Sequence, residues 1–394
     1  MAASEQPSPR IAISPLMVAF ATLHASEAFC RALLLAILPV QALSLLGNAQ
    51  QVSVLFFATS ALGMVFNFAV PAAMHRLSRR WVYTLGGLAS VAAAVLFYLE
   101  MLPALVLGLI LQVMVTAATE IPLNLYVMDQ VRRHEFPTFE PLRVFVVGMA
   151  WIVGPVLGPY LRTTLGHAIP FALVALSSVA LLVLFWSLRL RENPVAVSAR
   201  PPLNPVRYVP RFTAQPRLRL AWLLALGRNC FWNVFFVYAP IYAVTSGLGE
   251  VMSGAIVSMG TAFLLLIPLW GWFGRRYGFR RILIWASVGA GLFNIAAAIF
   301  AASPWLGAAL LVATAFCGSL IDSSGNAHFL RAVRAHERPE MTAVFWTHRY
   351  LANLAPPGIF ALVLKAFELP AVFIGIGGAM LVVGYFAHYL PRRF

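Results

Sequence analysis

Charged residues are scarce in this sequence. Asp, Glu, Lys and Arg make up only 10% of the 394 residues, whereas hydrophobic residues make up 61%. Soluble domains carry about 25% charged residues, so the composition excludes a soluble globular protein. The hydrophobic residues form long runs of the length that a membrane-spanning helix needs. The sequence therefore predicts an all-α membrane protein, because a helix satisfies its backbone hydrogen bonds without water.

Several residue types and motifs are missing. Lysine occurs once, at Lys365, and no Gly-x4-Gly-Lys-[Ser/Thr] loop is present, which excludes an ATP-driven pump. Neither Gly-x-Ser-x-Gly nor His-Glu-x2-His occurs, so we expect no enzyme activity. The three cysteines, Cys30, Cys230 and Cys317, lie far apart in apolar runs and predict no disulfide framework. No metal-ligand spacing is found, and we expect no metal and no cofactor.

Twelve apolar runs predict twelve transmembrane helices in two six-helix bundles. The short polar N-terminus lacks the pattern of a cleaved signal, so the first run is predicted to be a span. The predicted spans are 12–42, 51–74, 81–100, 104–131, 141–162, 167–188, 220–244, 251–273, 281–302, 305–333, 341–365 and 370–390. The chain divides into halves at 12–188 and 220–390, a Pro- and Arg-rich linker at 189–219, and two termini at 1–11 and 391–394.

The basic residues lie almost entirely on one side of the predicted membrane. With the N-terminus in the cytoplasm, the loops and ends on that side carry 22 of the 28 Lys and Arg residues, and the other side carries only Arg162 and Lys365. This is the positive-inside pattern. The net charge of +15 is therefore an orientation signal and predicts no nucleic-acid partner. We expect both termini in the cytoplasm and the chain in a bacterial inner membrane.

The two halves repeat each other. Several chemically matched residues are separated by 202 positions, which indicates two homologous six-helix units with a site between them near mid-membrane. Around the fourth span the chain reads Glu120-x3-Asn124 and then Arg132-x-His134-Glu135-x-Pro137, and around the tenth it reads Asp322-x3-Asn326 and then Arg334-x-His336-Glu337-x-Pro339.

Two loops and one span resemble a known family. The loop Gly271-x3-Arg275-Arg276-Tyr277-Gly278-x-Arg280-Arg281 and the degraded copy Pro71-x3-His75-Arg76-x-Ser78-Arg79-Arg80 are similar to the signature loops of the major facilitator superfamily. The fifth span carries a glycine-proline packing motif like that of the family's antiporters, at Gly148, Gly154, Pro155 and Gly158. The resemblance covers the whole chain and implies a secondary transporter, with the drug/proton antiporters and the sugar-efflux proteins as the two candidate branches.

Polar residues form matching stripes on spans four and ten. Gln112, Thr116, Glu120 and Asn124 recur every four residues and share one helix face, as do Thr314, Gly318, Asp322 and Asn326. The stripes predict a polar cavity between the halves. Hydrogen bonding between helices alone is the alternative explanation.

The deep charges form a balanced set of three acids and three bases. Glu27 and Arg31 are spaced to pair on one helix face, and Arg228 occupies the place of Glu27 in the repeat. Burial disfavours a charged carboxylate and a nearby cation favours it, so an acid that loses its partner takes up a proton. We expect Glu27, Glu120 or Asp322 to carry the coupled proton, with substrate binding and structural pairing as alternatives. The residues predicted to line the substrate cavity are Arg31, Gln112, Asn124, Arg228, Asn229, Asn233, Asn326, His328 and Arg349.

A charged gate is predicted at the cytoplasmic end. In proteins that the chain resembles, an acid at the position of Asp129 holds loop arginines when that end is closed, and Arg76 or Arg80 is the expected partner. Arg143, Arg276 and Arg280 complete the predicted gate, with substrate contact as the alternative for Arg143. A solvated charge cluster is the alternative.

These observations lead to one functional hypothesis and two alternatives. We expect a monomeric proton-coupled secondary transporter that exports a small organic compound, either a drug-like amphiphile or a sugar. A proton symporter that imports a sugar or an organic anion is the first alternative, and a non-transporting sensor on the same fold is the second. The expected partners are a small-molecule substrate, protons and the lipid bilayer.

Overall fold

The computed structural model describes residues 14–132, 134–188, 190, 205–334 and 337–391, and within these ranges every regular element is a helix. The predicted termini and most of the predicted linker lie outside the described residues. The helices before the linker are α1 (Pro15–Leu35), α2 (Ile37–Leu46), α3 (Ala49–Arg76), α4 (Arg79–Tyr98), α5 (Leu102–Gln130), α6 (Phe136–Thr164) and α7 (Ala168–Ser187). The later helices are α8 (Pro205–Thr213), α9 (Pro216–Thr245), α10 (Glu250–Ala262), α11 (Ile267–Tyr277), α12 (Phe279–Ile299), α13 (Pro304–Asp322), α14 (Ala327–Ala332), α15 (Arg338–Phe345), α16 (Thr347–Val363) and α17 (Pro370–Ala387).

These helices form twelve membrane-spanning rods and one short extra helix, α8. Four rods are made of two helices in line, namely α1–α2, α10–α11, α13–α14 and α15–α16. Among the described residues, eleven stretches are long and apolar enough to cross a membrane. The remaining rod is interrupted at Trp346. The predicted fold class, two bundles of six helices, is confirmed.

Local sequence sets where many helices start and stop. The Ser14 hydroxyl accepts a hydrogen bond from the backbone N–H of Met17, and the Asn48 side chain caps α3 in the same way. Gly47 ends α2 in a left-handed conformation, with φ +80°. Proline lies at the first or second position of six of the long helices, where its missing N–H costs nothing, namely α1, α5, α6, α9, α13 and α17.

Three predicted boundaries were wrong. The linker was predicted to extend to residue 219, but α8 forms inside it and α9 begins at Pro216. The tenth span was predicted to be continuous over 305–333, but it breaks between α13 and α14, where Gly325 has φ +49°. The first span, predicted over 12–42, is interrupted at Ala36 and extends to Leu46. Hydropathy reports the length of an apolar run, and it is insensitive to a short break inside that run.

We call the end of the bundle where α3 leads to α4, α5 to α6, α11 to α12 and α14 to α15 the arginine-rich end, and the other end the opposite end. The repeat is visible in the turns themselves. The backbone N–H of Glu135 donates to the carbonyl of Arg132, and that of Glu337 donates to the carbonyl of Arg334.

The hydrophobic core shows how the two halves are arranged. One large buried cluster contains residues of both halves, among them Ile37, Val52, Tyr238, Ile256 and Phe360, and it lies towards the opposite end. The remaining buried clusters each belong to a single half. The halves are therefore packed together at the opposite end and separate towards the arginine-rich end.

Polar contacts join the halves in the same region. The Ser53 hydroxyl lies 2.7 Å from the Tyr238 hydroxyl, and the backbone N–H of Val156 donates to the Ser258 hydroxyl at 3.0 Å. The hydroxyl of Thr261 donates to the carbonyl of Trp151 at 2.9 Å. These bonds fix α3 against α9 and α6 against α10 near the opposite end.

The glycine-proline motif of α6 has two faces. A Cβ on Gly158 would overlap the carbonyl oxygen of Leu33 in α1, and a Cβ on Gly254 of α10 would overlap the carbonyl oxygen of Pro155. The motif thus lets α6 pack closely against α1 within the first half and against α10 of the other half. Gly148 was predicted to share this packing role, but a Cβ there would meet no atom within 4 Å. The packing motif therefore begins at Gly154.

Candidate functional site

The first cluster of deep charges lies between α1, α5 and α6. Arg31 pairs with Glu27, since Nη2 donates to Oε2 at 3.0 Å and Nε lies 2.9 Å from Oε1, a contact without hydrogen-bond geometry. The i,i+4 pairing expected for these residues is confirmed. Glu120 lies 3.8 Å from Arg31, and its side chain is 46% exposed, against 7% for that of Glu27. Arg31 therefore has one tight and one loose acidic partner.

The second cluster lies at the break between α13 and α14. Asp322 is the last residue of α13, where the helix dipole disfavours a negative charge. Two neighbours on α9 offset this cost, since Trp232 donates to Asp322 Oδ2 at 2.6 Å and Arg228 Nε lies 3.4 Å from Oδ1. Arg228 also donates to the carbonyl of Gly325 at 3.0 Å and to Asn326 Oδ1 at 3.4 Å. One arginine thus holds both sides of the break.

An aromatic bridge connects the two charge clusters across the interface between the halves. The guanidinium of Arg31 lies over the Trp151 ring at 5.7 Å. Trp151 packs on Phe236 of the other half, with ring centroids 6.0 Å apart, and Phe236 stacks on Trp232 at 5.3 Å. Trp232 completes the path by its bond to Asp322. The two charge clusters and the aromatic bridge therefore lie together at the interface between the halves, where its packed part begins.

The other predicted cavity residues differ in their surroundings. Asn326 joins the Arg228 cluster, whereas the Asn229 side chain donates back to the carbonyl of Ala225 on its own helix. Gln112 and Asn233 each bury a carbonyl oxygen with no hydrogen-bond partner among the described residues. Asn124 is exposed and His328 is buried. Arg349 is exposed and lies over the Trp346 ring at 5.3 Å, so the structure does not bring it to Asp322.

At the arginine-rich end, the partner of Asp129 differs from the prediction. Arg79, a residue not included in the predicted gate, binds Asp129 at 2.7 Å. Arg80 instead donates to the carbonyl of Leu190 at 2.8 Å, and Arg76 is exposed. The register explains the difference, because Arg79 begins α4 and faces Asp129 of α5, while Arg80, the next residue, faces Trp186 of α7.

Two other predicted gate arginines, Arg143 and Arg276, contact residues of their own half. Arg143 binds Glu140 one turn earlier on α6, at 2.8 Å. Arg276 lies over the exposed rings of Trp272 and Tyr277, at 5.4 and 5.7 Å. Arg280 is the second residue of α12.

At the opposite end, an ion pair that the sequence did not predict links the halves. Arg162 of α6 lies 2.5 Å from Glu100 and 3.6 Å from Glu250, the first residue of α10. Its side chain is only 11% exposed. The sequence did contain an indication that Arg162 is unusual, because it is the lone arginine predicted on its side of the membrane. We call Glu100, Arg162 and Glu250 the opposite-end latch.

Comparison with known proteins assigns the family. The sequence model of the Major Facilitator Superfamily matches residues 20–267 and 255–393, which together cover most of the chain. This chain belongs to the major facilitator superfamily. It is therefore a multi-pass membrane protein, in a family of transporters and not of enzymes.

Solved structures show the same fold. The nucleoside transporter NupG superposes with a TM-score of 0.71 at 15% identity, covering 96% of this chain and 100% of that one. A POT family transporter in complex with 5-aminolevulinic acid gives a TM-score of 0.74 at 12% identity, covering 94% of each chain. A D-xylose-proton symporter gives 0.72 at 14% identity, covering 96% of this chain and 98% of that one. At these identities the likeness concerns the fold alone.

One curated relative is similar over part of the chain. A Na(+), Li(+), K(+)/H(+) antiporter of Planococcus maritimus is 31% identical over 140 residues, which span 34% of this chain and 32% of the relative. The match thus covers about a third of either protein.

In this chain, no group of three or more His, Cys, Asp or Glu residues among the described residues is arranged to hold a metal ion.

Proposed function

We propose that this transporter exports a small organic compound in exchange for protons, by alternating access between its two halves. The halves are taken as 12–188 and 220–390, and the arginine-rich end as cytoplasmic, in line with the positive-inside rule. With this orientation, the conformation described above opens to the cytoplasm. An exporter collects its cargo in that conformation.

The loose position of Glu120 carries the proposal. Glu27 is buried and accepts a hydrogen bond from Arg31 at 3.0 Å, whereas Glu120 is half-exposed and 3.8 Å from the same guanidinium. If both carboxylates are ionised, the cluster has one more acid than base. Glu120 is therefore the group that a proton or a positively charged cargo neutralises, and competition between the two at one carboxylate produces exchange. Asp322 is the second candidate, although Trp232 and Arg228 hold it more tightly.

The aromatic bridge indicates the kind of cargo. Trp151, Phe236 and Trp232 present flat apolar faces beside the excess acid. Aromatic faces attract cations and pack against apolar groups, so an amphiphile with a positive charge fits this surface best. Aromatic rings also stack on sugars, which keeps a sugar as the alternative cargo. The partial match to a cation/H(+) antiporter supports exchange.

Arg228 favours one competing function. Of its three acceptors only Asp322 is charged, so protonation of Asp322 would leave a positive group beside the space between the halves. That group would suit an organic anion imported together with a proton. The experiment must therefore report the direction of proton movement as well as its presence.

Proton movement in proteoliposomes tests the proposal. Purified protein is reconstituted with a trapped pH dye, and compounds are added outside one at a time as lipophilic cations, sugars, organic acids, and Na⁺, K⁺ or Li⁺ salts. An antiporter makes the lumen more alkaline as cargo enters, and a symporter makes it more acidic. We expect alkalinisation by a lipophilic cation and at least a tenfold slower response in Glu120→Gln.

The matched control is Glu368→Gln, which neutralises an exposed glutamate in the loop before α17. It should keep the wild-type response. A Glu120→Gln protein that exchanges protons as fast as the wild type would overturn the role of Glu120. Acidification by an organic acid or a sugar would replace antiport by symport.

A further inference from the structure

The surface where α11 turns into α12 carries an unusual concentration of positive charge. Arg275, Arg276, Arg280 and Arg281 flank the turn at Gly278, and no Asp or Glu occurs between Glu250 and Asp322. Among the described residues, none of these four arginines makes an ion pair with a carboxylate. Deep arginines such as Arg31, Arg79 and Arg228 all have an acidic partner, so this group differs from them.

Three of these arginines line a recess on the outside of the second half. The recess has a volume of about 660 Å³, and its lining includes Arg276, Arg280, Arg281, Tyr277, Trp285 and His388. Its lining comes from α11, α12 and the residue that follows α17, all of the second half. This position is on the flank of the bundle and not in the space between the halves.

An apolar groove of about 420 Å³ adjoins the recess. Tyr277, Arg281 and Trp285 border both, and the groove continues along Trp270, Phe273, Ile282 and Leu320. Trp285 is 73% exposed and Tyr277 is 51% exposed. Aromatic residues at the ends of membrane spans lie at the level of the lipid headgroups. The recess is therefore at headgroup depth, and the groove extends into the hydrocarbon.

We propose that this surface binds an anionic phospholipid, with the phosphate-bearing headgroup in the arginine recess and one acyl chain in the groove. Charge complementarity selects the anionic headgroup, since guanidinium groups pair with phosphate oxygens and no carboxylate of the lining neutralises them. Basic pockets between spans are a known form of lipid site. The continuous groove selects a lipid over free phosphate, which would use the recess alone. This role differs from the gate role that the sequence predicted for Arg276 and Arg280.

Native mass spectrometry of the full chain in detergent tests the site. The probes are dioleoyl phosphatidylglycerol, dioleoyl phosphatidylcholine, and inorganic phosphate or glycerol 3-phosphate as competitors. We expect phosphatidylglycerol to bind at least tenfold more tightly than phosphatidylcholine, without competition from the two soluble phosphates. Arg276→Gln/Arg280→Gln should weaken phosphatidylglycerol binding about tenfold. The charge-matched control Arg334→Gln/Arg338→Gln changes two exposed arginines at the same end and should stay within twofold of the wild type.

A second variant tests the groove separately. Trp285→Ala keeps every arginine and should weaken binding of the long-chain lipid several-fold more than binding of a short-chain phosphatidylglycerol, which reaches only the recess side of Trp285. Since Trp285 is exposed, this variant should fold even if the arginine variant does not. Equal losses in the two arginine variants, equal binding of both headgroups, or displacement by soluble phosphate would each overturn the proposal.

Discussion

At the scale of single residues, the three deep acids are equivalent in the sequence but differ in the structure. The spacing of Glu27 and Arg31 is sufficient to predict their pair, because four residues bring side chains together on a helix. The repeat identifies Glu120 and Asp322 as counterparts. Which acid is tightly held depends on exposure and on Trp232, and neither follows from spacing. The Arg79–Asp129 pair was missed for a similar reason, since three neighbouring arginines differ only in the direction they face.

Stability should therefore separate Glu27 from Glu120. Breaking a buried ion pair from one side costs about 3 kcal/mol, because the remaining charge is left without its partner. Glu27→Gln should lower the free energy of unfolding by roughly this amount. The loss is smaller if Arg31 then forms its ion pair with Glu120. Glu120→Gln should cost less than about 1 kcal/mol, because its carboxylate is half-exposed and loosely held.

Thermal unfolding of both variants in the same detergent measures this difference. We expect Glu27→Gln to unfold at a temperature well below that of the wild type and Glu120→Gln to unfold near the wild-type temperature. Equal melting temperatures for the two variants would contradict the assignment of Glu27 as the structural acid.

At the scale of helices, the sequence predicts where apolar runs occur and fails at their interruptions. Ser323, Ser324 and Gly325 lie within a run that reads as one span, yet the helix stops at Asp322. The break frees backbone carbonyls, and Arg228 on α9 binds one of them. Because that partner lies about a hundred positions away in the sequence, a local pattern cannot reveal it. The helix α8 was missed because nine residues rich in Pro and Arg give no apolar run.

The break itself is testable at Gly325. Its φ of +49° is left-handed, which costs a residue with a side chain roughly 1–2 kcal/mol. Gly325→Ala should lower stability by about this amount and slow transport, because the carbonyl that binds Arg228 would shift. Gly148→Ala is the matched control, since Gly148 is helical and faces open space.

The melting temperature and the transport rate of both variants test this prediction. Gly148→Ala should be neutral or slightly stabilising, because alanine is the better helix former. A Gly325→Ala protein as stable and as active as this control would show that the break does not depend on the left-handed glycine.

At the scale of the whole molecule, the repeat predicts two halves, whereas it does not predict which end is closed. Closure depends on close packing of Gly254 against Pro155 and on the opposite-end latch, which join residues from different halves. In this conformation the halves meet at the opposite end and separate towards the arginine-rich end. Transport by alternating access requires the closed end to open.

The most direct test of this account is the accessibility of a cysteine at Thr116, midway along α5 on the polar stripe. The residue is changed in a Cys230→Ala background, and a membrane-impermeant thiol reagent is applied to either side of oriented vesicles. A second protein also carries Val156→Cys and Ser258→Cys, cross-linked across the interface where the Ser258 hydroxyl lies 3.0 Å from the Val156 nitrogen. We predict labelling from both sides in the first protein, and from the arginine-rich side alone once the halves are cross-linked. Labelling from the opposite side despite the cross-link, or from one side only in the unlinked protein, would contradict alternating access.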